Sequence, residues 1–238
     1  MSAKTIAYFD KTANTYDDLH GDERVYIRAL EVSWPFIETL APQSLLDVGC
    51  GTGRTLRWVA NVSPNVKLFG IDPSINLLER AKFSTPDATL KVGSGEHLEF
   101  PDRSIDLVAA SAIMHYVDHP STVISEMFRV AKKAVIISDH NNFAFGSKKA
   151  QRIRILLYCL GLLGVATFIK QGFKKQGYTE HEGWWYPYSL LNNFAQISAL
   201  SDIVHLIPTG RATPGLGGNI LFSQSHFVIL ATKNGAVT

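Results

Sequence analysis

The chain has little cysteine. Only Cys50 and Cys159 occur among 238 residues, too few to staple a small secreted fold with disulfides. Charge is also scarce, at 18% of residues against 46% hydrophobic ones, and that balance excludes a disordered chain. No apolar run reaches the roughly 18 residues that a membrane-crossing helix requires. The opening MSAKTIAYFDKTANTYDD carries early aspartates and no apolar stretch, so a secretory leader is not expected. A soluble, cytoplasmic chain forming one domain over 1–238 is the resulting expectation. One further shortage is local. From His140 to Thr179 there is no Asp or Glu, while Lys148, Lys149, Arg152, Arg154, Lys170, Lys174 and Lys175 place +7 there. The net charge is only +2, so the rest of the chain carries −5. Such asymmetry points to a polyanion or a membrane surface.

What is present is an alternation of short apolar runs with helical patterns. Strands are expected at Ser44–Val48, Val66–Ile71, Thr89–Val92, Ile105–Ala110 and Ala134–Ser138. Helices are expected at 54–62, Ser74–Phe83 and Ser121–Lys132, the last with Val123, Met127 and Val130 on one face. Continuous apolar strands alternating with helices imply a parallel sheet covered on both faces. Ile203–Pro208 and His226–Thr232 read as two more strands around the Gly/Pro-rich Thr209–Gly218, an antiparallel hairpin at the sheet edge. Residues 141–199 form an insertion after the fifth strand, either a lid or a membrane-facing segment.

The strongest signal is Leu45-Leu46-Asp47-Val48-Gly49-Cys50-Gly51-Thr52-Gly53, closing the first strand and opening a helix. Glycines there let the backbone turn sharply and approach a ligand. A nicotinamide fingerprint would place a third glycine where Arg54 stands. Asp47, just ahead of the glycines, suits a cationic group better than a pyrophosphate. Asp72 ends the second strand 25 residues later, where a carboxylate can accept both hydroxyls of a ribose. A plain turn, with Asp72 capping the following helix, is the simpler alternative for each feature alone. Together they favour nucleoside binding. Cys50, inside the loop, is expected as a small filler rather than a nucleophile.

LLDVGCGTG, FGIDPS, Lys91–Leu98 and Phe100–Val108, in that order, resemble four successive motifs of the class I S-adenosylmethionine-dependent methyltransferases. The resemblance covers roughly Tyr8 to His140. It implies a Rossmann-like, doubly wound, seven-stranded α/β sheet with an antiparallel last strand. By that resemblance Asp47, Gly49 and Gly51 would hold the methionine end, Asp72 and Pro73 would take the ribose side, and Ser94, Gly95 and Glu96 would meet the adenine. Ser111, at the end of the fourth strand, would belong to the same cofactor site, and Tyr16 would fold over the methionine moiety. Ser94 replaces an acidic residue common in the family; its hydroxyl still accepts a hydrogen bond but carries no charge, which implies modestly weaker cofactor binding.

Methyl transfer is an in-line displacement that needs a base only when the acceptor is a hydroxyl. Ligands of such sheets sit at the carboxyl ends of the strands, so His115 after strand four and His140 after strand five are the base candidates. Asp139 would orient His140. His97, His119, His181, His205 and His226 lack metal-ligand spacing, and no metal is expected.

Within the insertion, residues 155–169 (ILLYCLGLLGVATFI) hold no charge. As a helix this run would be roughly 22 Å long, too short to span a bilayer. A buried lid and a membrane contact through 148–175 are both open, and Arg152 would grip a phosphate. The aromatic loop with Trp184, Trp185 and Tyr188 suits a sugar or a flat ring, and the insertion's layout resembles that of methyltransferases from bacterial surface-glycan pathways. The expected reaction is O-methylation of a sugar or lipid-linked glycan. The alternatives are a quinone- or polyketide-type metabolite and a non-catalytic cofactor-binding scaffold. No Asn/Asp-Pro-Pro-aromatic motif follows strand four, so nucleic acid is not an expected partner.

Overall fold

The computed structural model describes residues 1–20, 24–141, 143, 147–170, 172, 174, 176–209 and 224–233. Three helices come first: α1 (Ala3–Thr12), α2 (Tyr16–His20) and α3 (Arg24–Glu38). A strand–helix alternation follows: β1 (Ser44–Val48), α4 (Arg54–Val62), β2 (Lys67–Asp72), α5 (Ile75–Ser84), β3 (Thr89–Val92), β4 (Ile105–Ser111), α6 (Pro120–Val130) and β5 (Ala131–His140). The remainder is α7 (Lys148–Cys159), α8 (Leu163–Lys170), β6 (Gly177–Thr179), β7 (Gly183–Trp185), α9 (Phe194–Ala199), β8 (Ile203–Pro208) and β9 (His226–Thr232).

Seven strands form one sheet in the order β3-β2-β1-β4-β5-β9-β8. The first five are parallel, and β9 runs antiparallel to both β5 and β8. This is the doubly wound arrangement expected from the sequence. Period-two alternation divides each strand between the two faces. Leu46, Val48, Val108, Ala110, Val135 and Ile137 pack on one side, with Phe227 and Ile229. Leu45, Leu107, Ala109, Ile136, Val228 and Leu230 pack on the other. Helix α3 covers the second face by burying Tyr26, Ala29, Leu30, Ser33, Trp34 and Ile37, the spacing of one helical stripe.

Two boundaries matter for function. The helix expected to reach Lys132 stops at Val130, because Ala131 is extended and begins β5 without a loop. At its other end β5 runs past Ser138, since Asp139 and His140 pair with Phe227 and His226 of β9. Both residues therefore sit on the strand rather than after it, held by ladder bonds. The expected 155–169 helix is instead two, α7 and α8, separated by Gly161 at φ +69°, a conformation open to glycine and costly for other residues. Most of the Thr209–Gly218 loop lies outside the described residues.

Helix α1 lies across the carboxyl ends of the strands. Its Asp10 accepts from Ser74 Oγ at 2.6 Å, and Asp17 of α2 accepts from Thr52 Oγ1 at 2.7 Å. Farther along the chain, the Tyr8 hydroxyl donates to the carbonyls of Glu180 and His181 at 2.8 and 2.9 Å. Trimming Phe227 to alanine leaves a void in the core beside β5, and we expect about 3–5 kcal/mol of lost stability in chemical denaturation.

Candidate active site

The turn after β1 shapes a cavity of about 450 Å³ whose lining includes Tyr16, Asp47, Gly49, Gly51, Asp72 and Ser111. Gly49 has φ +71°, and a Cβ on it would lie 2.5 Å from Ile113 Cγ2, so no other residue fits. Gly51 opens onto the cavity, with only the Tyr16 ring as close as 4.0 Å to a Cβ built there. The backbone here is bare where a ligand would press against it. Across the cleft Ala112 adopts φ +61°, a conformation rare for a residue with a side chain and often found at functional sites.

Two buried carboxylates form the polar part of this cavity. Asp72 accepts from Gly51 N at 2.9 Å and Ser74 N at 2.8 Å, while Ser74 itself caps α5. Burial raises its pKa to about 6 against those two bonds. Asp47 is less satisfied. Its Oδ1 has no hydrogen-bond partner among the described residues, and burial pushes its pKa to about 7 despite a bond from Thr55 and nearby Arg54. A buried carboxylate held this way is only partly compensated by its neighbours. The unpartnered oxygen and the bare glycines together fit a nucleoside bearing a cationic amine.

A second cavity, about 310 Å³, is lined by His115, His140, Thr179, Glu182, Trp185, Tyr186, Pro187 and Tyr188. Beneath it Asp139 is fully buried. Its carboxylate accepts from His115 Nδ1 at 2.7 Å, Met114 N at 2.8 Å and His140 N at 2.7 Å. Burial pushes the Asp139 carboxyl up, and the His115 and His140 imidazoles and their hydrogen bonds outweigh it, leaving the group below the usual carboxylate range. An ionised carboxylate only accepts, so Nδ1 of His115 carries the proton and Nε2 is the basic nitrogen of the neutral ring. That nitrogen lies 4.0 Å from Glu182 Oε2, and Glu182 also accepts from Tyr116 Oη at 2.5 Å. His140 is placed differently, with Nε2 3.2 Å from Tyr26 Oη and its ring 4.4 Å from that of His115.

Residues 46–138 match the family model described as a methyltransferase domain. By this match the segment is a methyltransferase domain, and the fold around it is that of solved S-adenosylmethionine-dependent methyltransferases. A demethylmenaquinone methyltransferase of Thermotoga maritima is 28% identical over 142 residues, 56% of this chain and 61% of that protein. A phosphatidylethanolamine N-methyltransferase of Cereibacter sphaeroides is 34% identical over 106 residues, 42% of this chain and 51% of that protein. The chain thus spans less than two thirds of the length of these curated relatives. In fold it is similar to magnesium protoporphyrin IX methyltransferase from Synechocystis, solved with bound S-adenosylhomocysteine, at TM-score 0.59 and 16% identity over 95% of this chain and 97% of that one.

Within the methyltransferase domain, the structure gathers only part of what the sequence suggests. Tyr16, Asp47, Gly49, Gly51, Asp72 and Ser111 meet at one cavity. Pro73, Ser94, Gly95 and Glu96 do not line it: the Ser94 hydroxyl accepts from Glu96 N at 3.2 Å, and Glu96 lies 3.3 Å from the Met1 amine. Asp139 holds the ring of His115 at 2.7 Å, whereas His140 Nδ1 is 3.7 Å away. The oriented imidazole is therefore His115 rather than His140, because the strand end aims the carboxylate back toward β4. Trp185 and Tyr188 face the second cavity, but Trp184, next along β7, points to the opposite side, against Tyr178 and Lys4. Arg152 is exposed on α7 and lines neither cavity. Cys50 is buried filler, with its thiol pushed up by burial. Glu182 and Tyr26 were not singled out from sequence; only pairing with Tyr116 and His140 reveals them.

His115, Asp139 and His140 each offer a ligand atom within 4.8 Å of the others. Three N–H donors already occupy the Asp139 carboxylate, however, which leaves about one of its four lone pairs for an ion.

A cationic ligand amine binds Asp47 only in its ionised form. With that pKa near 7, S-adenosylmethionine affinity measured by calorimetry should fall roughly tenfold between about pH 8 and about pH 6. Asp47→Asn should remove most of that pH dependence and weaken binding on the order of 100-fold. The same raised pKa favours the folded, ligand-free protein at low pH and is a stability contribution lost as pH rises through about 7. Asp47→Asn should therefore raise the melting temperature at about pH 8 more than at about pH 5.

Proposed function

We propose that the chain transfers the methyl group of S-adenosylmethionine to a hydroxyl of a small, partly apolar acceptor held beside His115. The observation that carries this reading is the buried 2.7 Å bond between Asp139 and His115 Nδ1, which leaves Nε2 as a base at an aromatic cavity. The bound cofactor supplies an electrophilic methyl on a sulfonium. Asp47 would take the amine of its methionine end, Gly49 and Gly51 would let it approach the backbone, and Asp72 would accept its ribose hydroxyls. Tyr16 and Ser111 would close the rim.

The acceptor hydroxyl gives its proton to His115 Nε2 as the oxygen–methyl bond forms. Asp139 then stabilises the imidazolium without itself being protonated. His140, tied to Tyr26, is a wall of the cavity and a secondary polar contact rather than the base.

The wall of Trp185, Tyr186, Pro187 and Tyr188 suits a flat or partly apolar ring. The Thermotoga relative, by its name, acts on demethylmenaquinone, and a Dechloromonas relative on malonyl-acyl carrier protein; these support the small-molecule alternative. A sugar or lipid-linked glycan is the second reading. It draws on the same aromatic wall, with Glu182 as hydroxyl acceptor, and has no support from these relatives.

Supplying hydroquinones and sugars side by side and measuring S-adenosylhomocysteine release should give turnover with the hydroquinone set. Turnover with sugars alone would reverse the order of the two readings. With the active acceptor, His115→Gln should lower kcat by about 100- to 10,000-fold while leaving cofactor affinity unchanged. His140→Gln should cost on the order of tenfold, and a larger loss from His140→Gln than from His115→Gln would overturn the assignment of the base.

A further inference from the structure

Among the described residues, α7 and α8 form a pair of short helices whose outward side chains are apolar. Ile153, Leu156, Leu160, Val165 and Ile169 are each 55–60% exposed. On α7 the outward stripe is Lys149, Arg152, Ile153, Leu156 and Leu160, spaced i, i+3, i+4, i+7 and i+11 along one helical face. The opposite face turns inward: Gln151 is buried, and Arg154 reaches the Phe143 carbonyl. A lid helix would bury the apolar stripe and wet the polar one. Here Ile153, Leu156 and Leu160 stay outward beside Lys149 and Arg152 while Gln151 is buried, so this stripe is not the packed face of a buried lid.

The cations at the start of α7 sit where the helix dipole disfavours them. Lys148 and Lys149 occupy the first turn of α7, which holds no acidic residue, and positive charge at a helix N-terminus opposes the helix dipole. Neither they nor Arg152 and Lys170 have an acid nearby in sequence, because none occurs from 140 to 179. The exposed stripe is therefore cationic at its base and apolar toward the turn at Gly161. Neither helix can span: 12 and 8 residues reach only about 18 and 12 Å.

We propose that the α7–α8 pair docks the chain onto an anionic lipid bilayer, with Leu156, Leu160, Val165 and Ile169 in the acyl boundary and the lysines and Arg152 at the headgroup phosphates. An apolar face of this size with a cationic collar is the chemistry of an interfacial helix. A second copy of this chain would bring the same positive collar against itself; a neutral partner would leave it without counter-charge. The location also fits. A groove of about 410 Å³ runs between Leu163, Thr167 and Phe168 of α8 and the Tyr186–Pro187 segment, and those last two residues also wall the His115 cavity. The docked face thus adjoins the acceptor site. Docking does not depend on which acceptor is methylated, and vesicle binding without turnover can be measured.

The test is co-sedimentation of the full chain with vesicles of phosphatidylcholine alone or with roughly a third phosphatidylglycerol. Binding should require the anionic lipid and weaken with salt. Lys148→Ser/Lys149→Ser/Arg152→Ser should lower it on the order of 100-fold, and Leu156→Asp/Leu160→Asp roughly tenfold or more. These positions are exposed, so thermal unfolding and S-adenosylmethionine binding should match the parent chain and show that the variants are folded. Equal partitioning into neutral vesicles, no partitioning, or undiminished binding of either variant overturns the proposal. So does a concentration-dependent dimer abolished by Leu156→Asp/Leu160→Asp in a chain that ignores vesicles, which assigns the face to self-association.

Discussion

Strand β1 is paired on both sides, with β2 and with β4, and the position of its carboxyl end governs the rest of the molecule. Successive connections leave β1 toward opposite edges of the sheet, so a crevice must open where they part. The glycine turn occupies that point. Gly49 fits there only because Ile113, arriving from the neighbouring β4, leaves no room for a Cβ. Asp47 ends up buried under the same turn with one oxygen unpartnered among the described residues. The site thus holds a buried carboxylate that its neighbours only partly compensate, and a hydrophobic sheet supplies the stability to keep it.

The alternating strands and helices were legible because parallel strands buried on both faces read as short continuous apolar runs. The glycine loop was legible because its backbone demands cannot be met by other residues. What stayed hidden depends on pairing across the chain. No local pattern says that Asp139 and His140 lie within β5, since their strand conformation comes from β9, almost ninety positions later. The direction of Asp139 toward His115 follows from that pairing. Neighbouring in sequence suggested His140 instead. Glu182 enters through its bond to Tyr116, 66 positions away, and no spacing rule reaches so far. Trp184 and Trp185 looked equivalent in sequence, until strand alternation separated them to two sides of β7.

The segment after β5 follows a different logic from the sheet. In the sheet, apolar residues face inward, and Asp47, Asp72 and Asp139 are buried polar exceptions at the strand ends. Across α7 and α8 the apolar residues face outward, and Gly161 sets the break between the helices. Helix propensity alone would leave two such short segments marginal. Their residues have few buried neighbours, so their conformation depends on what lies against them more than that of any strand does.

Helix α1 has a mechanical consequence. Through Asp10 it is bonded to Ser74, just after Asp72 of the first cavity, through Phe9 it abuts Tyr116, and through the Tyr8 hydroxyl it holds the Glu180–His181 turn, with Gly183 lying flush under the Tyr8 ring. That turn leads directly into Glu182 and β7, part of the wall of the His115 cavity. One short helix is therefore tied to the surroundings of both cavities, and any displacement of α1 would break contacts beside each of them at once.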